Sequence, residues 1–166
     1  MKAWVLFLAP VALLAACATP ASVPFAAAHS EEAQVRWQKA ASSVVCEAVF
    51  ARASDGAVRA QFYKGSAKVL LALTLEKNGS FQARGALAGR GWSGNAADAP
   101  HPLVAWASVM QIFQAAGSWT DGEREVHSGN TRAAVVISHG RLQSLNVIND
   151  LNGEVISASF ASAKSN

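Results

Sequence analysis

The spacing of hydrophobic residues changes along the chain, and each change predicts an element. An apolar run covers residues 3–16, after which Ala33, Trp37, Ala40 and Ala41 recur at helical spacing, so a short helix is expected over residues 29–42. Ser30 can cap it, and Glu31 and Glu32 in its first turn suit the positive end of a helix dipole. From Val44 the period becomes two. Strands are expected over residues 44–53, 57–64, 68–77 and 80–88, with turns at Asp55-Gly56, at Lys64-Gly65-Ser66-Ala67 and at Asn78-Gly79. Val58, Ala60 and Phe62 alternate with Arg59, Gln61 and Tyr63, as in a strand with one wet face. The next run differs, because Val69, Leu71, Leu73 and Leu75 share one face while Leu70 and Ala72 occupy the other. Such a strand is covered on both faces or lines an apolar cavity.

Residues 89–100 are rich in Gly, Ala and Asn and are expected as a connection containing Trp92. A second helix follows over residues 101–117, with Pro102 in its first turn and Gly117 as its closing glycine. Trp106, Met110 and Phe113 form its apolar stripe, and no Asp, Glu, Lys or Arg occurs between His101 and Trp119. Four more strands are expected over residues 123–128, 132–138, 141–149 and 154–161, with turns at Gly129-Asn130, His139-Gly140 and Asn152-Gly153. The expected class is α+β: an antiparallel, incomplete β-barrel (half-barrel) of about eight strands, covered by one N-terminal and one central helix.

The first apolar run is too short to span a bilayer comfortably, which takes about 20 residues. It starts with Met1-Lys2 and ends Leu14-Ala15-Ala16-Cys17, which resembles the bacterial lipobox. That resemblance implies a signal peptide over residues 1–16, cleavage before Cys17 and lipidation of Cys17, including a palmitate-type acyl chain. Residues 17–28, with Pro20 and Pro24, then read as a lipidated tether, and residues 29–166 as a single domain. Ala18 stands where an aspartate would favour inner-membrane retention, so the resemblance places the domain at the outer membrane, facing the periplasm. With Cys17 carrying lipid, Cys46 has no partner in the chain and is expected as a buried small hydrophobe.

The net charge of +3, or +2 without Lys2, comes with no Lys/Arg run, so no nucleic-acid face is expected. His29, His101, His127 and His139 show no metal-ligand spacing with one another or with cysteines. Gly91-Trp92-Ser93-Gly94 does not match the Gly-x-Ser-x-Gly nucleophile motif, and Glu123-Arg124-Glu125 reads as a solvated strand face. The expectation is a protein without catalytic activity, metal or cofactor. The segment from Gly140 to Ile156, Gly-Arg-Leu-Gln-Ser-Leu-Asn-Val-Ile-Asn-Asp-Leu-Asn-Gly-Glu-Val-Ile, is similar to the last hairpin of the periplasmic lipoprotein carriers and outer-membrane lipoprotein receptors, the LolA/LolB family. The order of elements resembles their helix-covered half-barrel. The chain is shorter than the receptors and simpler in its helical cover, so no individual functional residue is carried over.

The resemblance implies an outer-membrane-anchored lipoprotein that binds acyl chains or other lipoproteins in an apolar cavity, as in lipoprotein localisation. Leu71, Leu73, Phe81, Trp106, Met110 and Phe113 are the candidate lining, with the second helix as plug or lid. A lining without charges suits acyl chains, because nothing polar loses its water on binding. The alternative is a structural or interaction lipoprotein of a cell-envelope complex, with a closed core and no lipid ligand.

Overall fold

The computed structural model describes residues 25–65 and 68–161. The apolar leader, Cys17 and most of the expected tether lie outside the described residues. Ten strands pair into one antiparallel sheet: β1 (Ala27–Lys39), β2 (Ser42–Ala53), β3 (Val58–Lys64), β4 (Lys68–Leu75), β5 (Ser80–Arg84), β6 (Trp92–Asn95), β7 (Gly122–Ser128), β8 (Thr131–Ser138), β9 (Arg141–Asn149) and β10 (Glu154–Phe160). Their order is β6-β5-β4-β3-β2-β1-β10-β9-β8-β7, so chain neighbours pair except β6 and β7, which form the two edges, and the β1–β10 ladder joins the two halves. Among the described residues one α-helix, α1 (Val104–Ala116), links β6 to β7, and single 3-10 turns occupy Ala86–Ala88 and Ala96–Asp98. Among the described residues, no helix is long and apolar enough to cross a membrane.

This corrects the expected class. The N-terminal helix is β1, and the expected connection contains β6, so a single large open sheet of ten strands with one helix replaces a half-barrel of about eight strands with two. The pattern at β1 was compatible with both periods. Glu31, Ala33 and Val35 point inward and Glu32, Gln34 and Arg36 outward, which is the period of two that the helical stripe ignored. Pairing with β2 along the strand, and with β10 as well from Ala33 to Gln38, satisfies the backbone of β1 and outweighs local helix preference. The turn that would have signalled the hairpin is Ala40-Ala41, and Ala40 adopts φ 50 without any help from Gly or Asn.

Nine of the thirteen residues of α1 are buried, so it lies inside the sheet's curl instead of on its surface. It touches β3 and β4 on one side and β8, β9 and β10 on the other. Six strand spacings separate β4 from β8, about 29 Å if flat, while thirteen helical residues reach only about 20 Å. The sheet must therefore wrap around the helix. Leu71, Leu73 and Leu75 face that core, but a bulge opposite Phe62 and Tyr63 breaks the alternation, so that Leu70 is buried and Val69, expected beside Leu71, is exposed. The 3-10 turn at Ala86–Ala88 folds against β4 there. Its leading Gly85 has φ 112, and a Cβ on it would come within 2.6 Å of the Leu70 carbonyl oxygen, so glycine is required twice over.

Candidate functional site

The six residues expected to line a cavity come together, but as packed core. Leu71, Leu73, Phe81, Trp106, Met110 and Phe113 are each 1 % exposed or less and belong to one continuous cluster. Trp106 meets Phe62 edge-on at 4.9 Å between ring centroids and tilts against Trp37 at 6.2 Å. Phe113 sits between Phe50 at 5.0 Å and Phe160 at 6.0 Å, and Phe81 contacts Trp92 at 5.9 Å. These separations fall in the range of favourable aromatic pairs.

One opening onto the apolar interior lies to one side of these residues. A cleft of about 290 Å³ runs between α1 and the β7–β8 hairpin, walled by Ile112 and Ala115 of the helix, Trp119 beyond it, and Val126 and Ala133 of the strands. Its volume is near the ~300 Å³ lower end of small-ligand sites, enough for a segment of an apolar chain. The polar groups at its floor satisfy one another. Ser108 Oγ and Thr131 Oγ1 are 3.0 Å apart, and the Thr131 hydroxyl donates to the Ser128 carbonyl at 2.7 Å. An apolar guest therefore strands no hydrogen bond there. His127 and Glu125 pair at 3.2 Å on the exposed rim. The guanidinium of Arg124 lies 4.8 Å over the Trp119 ring and donates to the Thr120 carbonyl at 3.1 Å, which fixes that indole as a wall.

Sequence reasoning did not single out these cleft residues. The available signal was Trp119, a large aromatic placed just after the helix in a polar stretch, followed by Val126, the one large apolar residue of Gly122–Ser128. A larger hollow of about 380 Å³ on the outer face of β1, β9 and β10 has mixed walls, Gln34, Arg36, Ser144, Asn146, Ser157 and Ser159 beside Val45, Leu145 and Ala158, and another of about 590 Å³ lies against Ala33, Ala48, Val49 and Phe160 with Glu32 and Glu47 at its edge.

The end of the sheet near the α1 C-terminus is polar. Arg52 of β2 donates to the carbonyl of Phe113 and lies 4.9 Å over its ring. Burial lowers the pKa of this guanidinium, and the nearby Glu31 carboxylate partly restores it. Gly117 has φ −63, so the expected left-handed closing glycine is absent, and the residue is small for another reason. A Cβ on it would collide with the Arg52 guanidinium. At the opposite end Glu154 is fully buried and accepts from Trp37 Nε1 at 2.6 Å and Asn152 Nδ2 at 3.5 Å. Among the described residues, no three His, Cys, Asp or Glu side chains converge as metal ligands would.

Compared with protein-family models and with curated protein sequences, the chain matches none. Among solved structures it is similar to a LolA superfamily protein from Nitrosomonas europaea, with a TM-score of 0.41 and 7 % identity over 80 % of this chain and 83 % of that one. A likeness this distant assigns neither a family nor a function.

Proposed function

We propose that this domain is a lipid-handling module of the bacterial envelope, which takes part of an acyl chain, free or carried by another lipoprotein, into the cleft between α1 and the β7–β8 hairpin. It does so without catalysis, anchored to the outer membrane through lipid on Cys17 and facing the periplasm. The observation that carries the reading is the cleft itself: apolar walls at Ile112, Ala115, Trp119, Val126 and Ala133 over a floor whose hydroxyls are already paired. Transfer of each methylene from water to such a surface contributes about 0.8 kcal/mol, so a few methylenes suffice for measurable binding.

Brominated fatty acid tests this directly, because bromine quenches only nearby indoles. Titrated into the chain from Ala18 onward, it should quench the Trp119 fluorescence, and the quenching should vanish in Trp119→Phe. Ala115 is half-buried at the cleft wall. Ala115→Phe should fill the cleft and weaken uptake about tenfold or more, while the domain stays folded. Unchanged uptake in that variant would move the site elsewhere. A second reading, an envelope interaction module with no lipid ligand, draws on the dense packing of Trp106, Met110 and Phe113, and absence of quenching in a folded protein would favour it.

A further inference from the structure

A second pocket, of about 210 Å³, opens on the polar side of the α1 C-terminus. Its walls include His29, Glu31, Arg52, Gly117 and Arg141. Glu31 is out of keeping with its strand, because it shares the inward face with Ala33 and Val35 and its side chain is 5 % exposed. Its Oε1 accepts from His29 Nε2 at 2.7 Å and from Arg141 Nε at 3.5 Å, whereas its buried Oε2 has no partner. Arg52 presents the complementary vacancy: Nη2 is engaged with the Phe113 carbonyl, but Nε is buried and unpartnered. Two residues of one pocket thus carry an open buried acceptor and an open buried donor, an unfavourable arrangement unless something completes both. Two guanidinium groups face one carboxylate, so the walls carry one uncompensated positive charge. The exposed Asp121 carboxylate at the rim is occupied by the N–H groups of His139 and Gly140, both at 2.7 Å, and is screened by solvent.

We propose that this pocket binds a small monoanion that also carries an O–H or N–H donor, the chemistry shared by a phosphatidylglycerol-type lipid head group and a free hydroxylated phosphate. The anion takes the fork of Arg141 and the Nε of Arg52, the geometry in which guanidinium groups hold phosphates. The donor completes Glu31 Oε2. Assignment to a lipid rests on the lipid-handling reading above, whereas the pocket's own chemistry does not. Position favours the lipid source. Cys17 lies twelve residues before His29, a stretch that spans at most about 40 Å, so an anchor at Cys17 keeps this end of the sheet within that distance of the head groups.

Native mass spectrometry of the full chain, released from nonionic detergent, separates the cases. Three probes are compared: phosphatidylglycerol, a monoanion with head-group hydroxyls; phosphatidylmethanol, a monoanion without them; and glycerol 3-phosphate. Phosphatidylglycerol should be retained about tenfold better than phosphatidylmethanol, the scale of one hydrogen bond to a charged group. Arg141→Gln should abolish retention of both, and its half-exposed site makes it the variant that folds. Glu31→Gln should raise retention of both anions, by removing a negative charge, while erasing the preference between them. Retention of glycerol 3-phosphate alone supports the site with a soluble ligand. Equal retention of both lipids, unchanged by Arg141→Gln, overturns the proposal, as does retention of none of the three. If brominated fatty acid fails to quench Trp119 while glycerol 3-phosphate still binds, only the lipid-handling reading falls.

Discussion

Replacing Trp37 by Phe isolates the most demanding polar contact in the core. The substitution keeps an aromatic ring against Trp106, 6.2 Å away, but removes the Nε1–H that reaches Glu154 Oε1 at 2.6 Å. Glu154 is fully buried, and no Lys or Arg among the described residues pairs with it. Its remaining side-chain donor is Asn152 Nδ2 at 3.5 Å, the limit of a hydrogen bond. A hydrogen bond to a charged group contributes about 1.5–3 kcal/mol, and the smaller ring forfeits roughly 1 kcal/mol of buried area. Trp37→Phe should therefore destabilise by about 3 kcal/mol. Glu154→Gln keeps an acceptor for Trp37 and removes the cost of burying a carboxylate, so it should lie within about 1 kcal/mol of the parent or above it. In the Glu154→Gln background the lost bond is neutral, and Trp37→Phe should cost about 1 kcal/mol less than in the parent. Urea unfolding followed by far-ultraviolet circular dichroism measures all four corners, provided the slopes agree. Equal costs of Trp37→Phe in the two backgrounds, or Glu154→Gln as the more damaging change, would refute the reasoning.

Three further outcomes are expected. The carboxyl of Asp121 is held below its ordinary pKa by the backbone N–H groups of Gly140 and His139. The stability it contributes is present above the ordinary aspartate value, about 4, and lost as pH falls through the lowered one; Asp121→Asn should thus weaken the fold at neutral pH and converge with the parent in strong acid, read from thermal midpoints across pH. Ala40 sits at φ 50 in the β1–β2 turn, where an L-residue costs about 1–2 kcal/mol, so Ala40→Gly should stabilise by up to about 1 kcal/mol after its extra unfolded-state entropy. A denaturant midpoint at or below the parent's would count against that backbone geometry. Burial raises the Cys46 thiol pKa, so peptide mapping should find Cys46 unmodified by a thiol reagent in the folded protein even in mildly alkaline buffer, and modified at the rate of unfolding when urea is added.

Most strands were legible because their turns carry side chains that announce them. Asp55 Oδ1 accepts from Ala57 N at 2.9 Å, Asn78 Oδ1 from Ser80 N at 2.9 Å, and Asn152 Oδ1 from Glu154 N at 2.9 Å, the local hydrogen bonds that make Asx residues turn formers. Where that chemistry is missing, local reading misled. Ala40-Ala41 carries no such signal, and Ala is the strongest helix former, so the local pattern of the first hairpin strand is that of a helix. β6 is four residues with two glycine or serine positions, too short and too poor in apolar residues to show a period. The candidate cleft was hidden for a different reason. Its walls come from α1, β7 and β8, each unremarkable alone, and only the folded chain sets Ala115 opposite Val126. The Glu31 pocket was hidden in the same way, since Arg52 and Arg141 are 89 residues apart.

The misread first element and the position of the cleft have one cause. Ten strands at a spacing of about 4.8 Å give a sheet roughly 43 Å across, and a helix is only about 10 Å in diameter. A second helix would have covered part of that width. Here the residues that could have supplied it became β1, which widens the sheet by one strand and leaves α1 to cover it alone. At the β5–β6 side the chain makes up the difference with Phe81 against Trp92 and the small turn at Ala86–Ala88 over β4. At the β7 side it has only the few residues between Gly117 and Asp121, and Trp119 is the single large side chain among them. The cover is therefore incomplete between α1 and β7, where Ile112, Ala115 and Val126 are left facing an opening. An apolar guest at that seam would do for α1 what a second helix was expected to do, and that makes the seam the place to look for one.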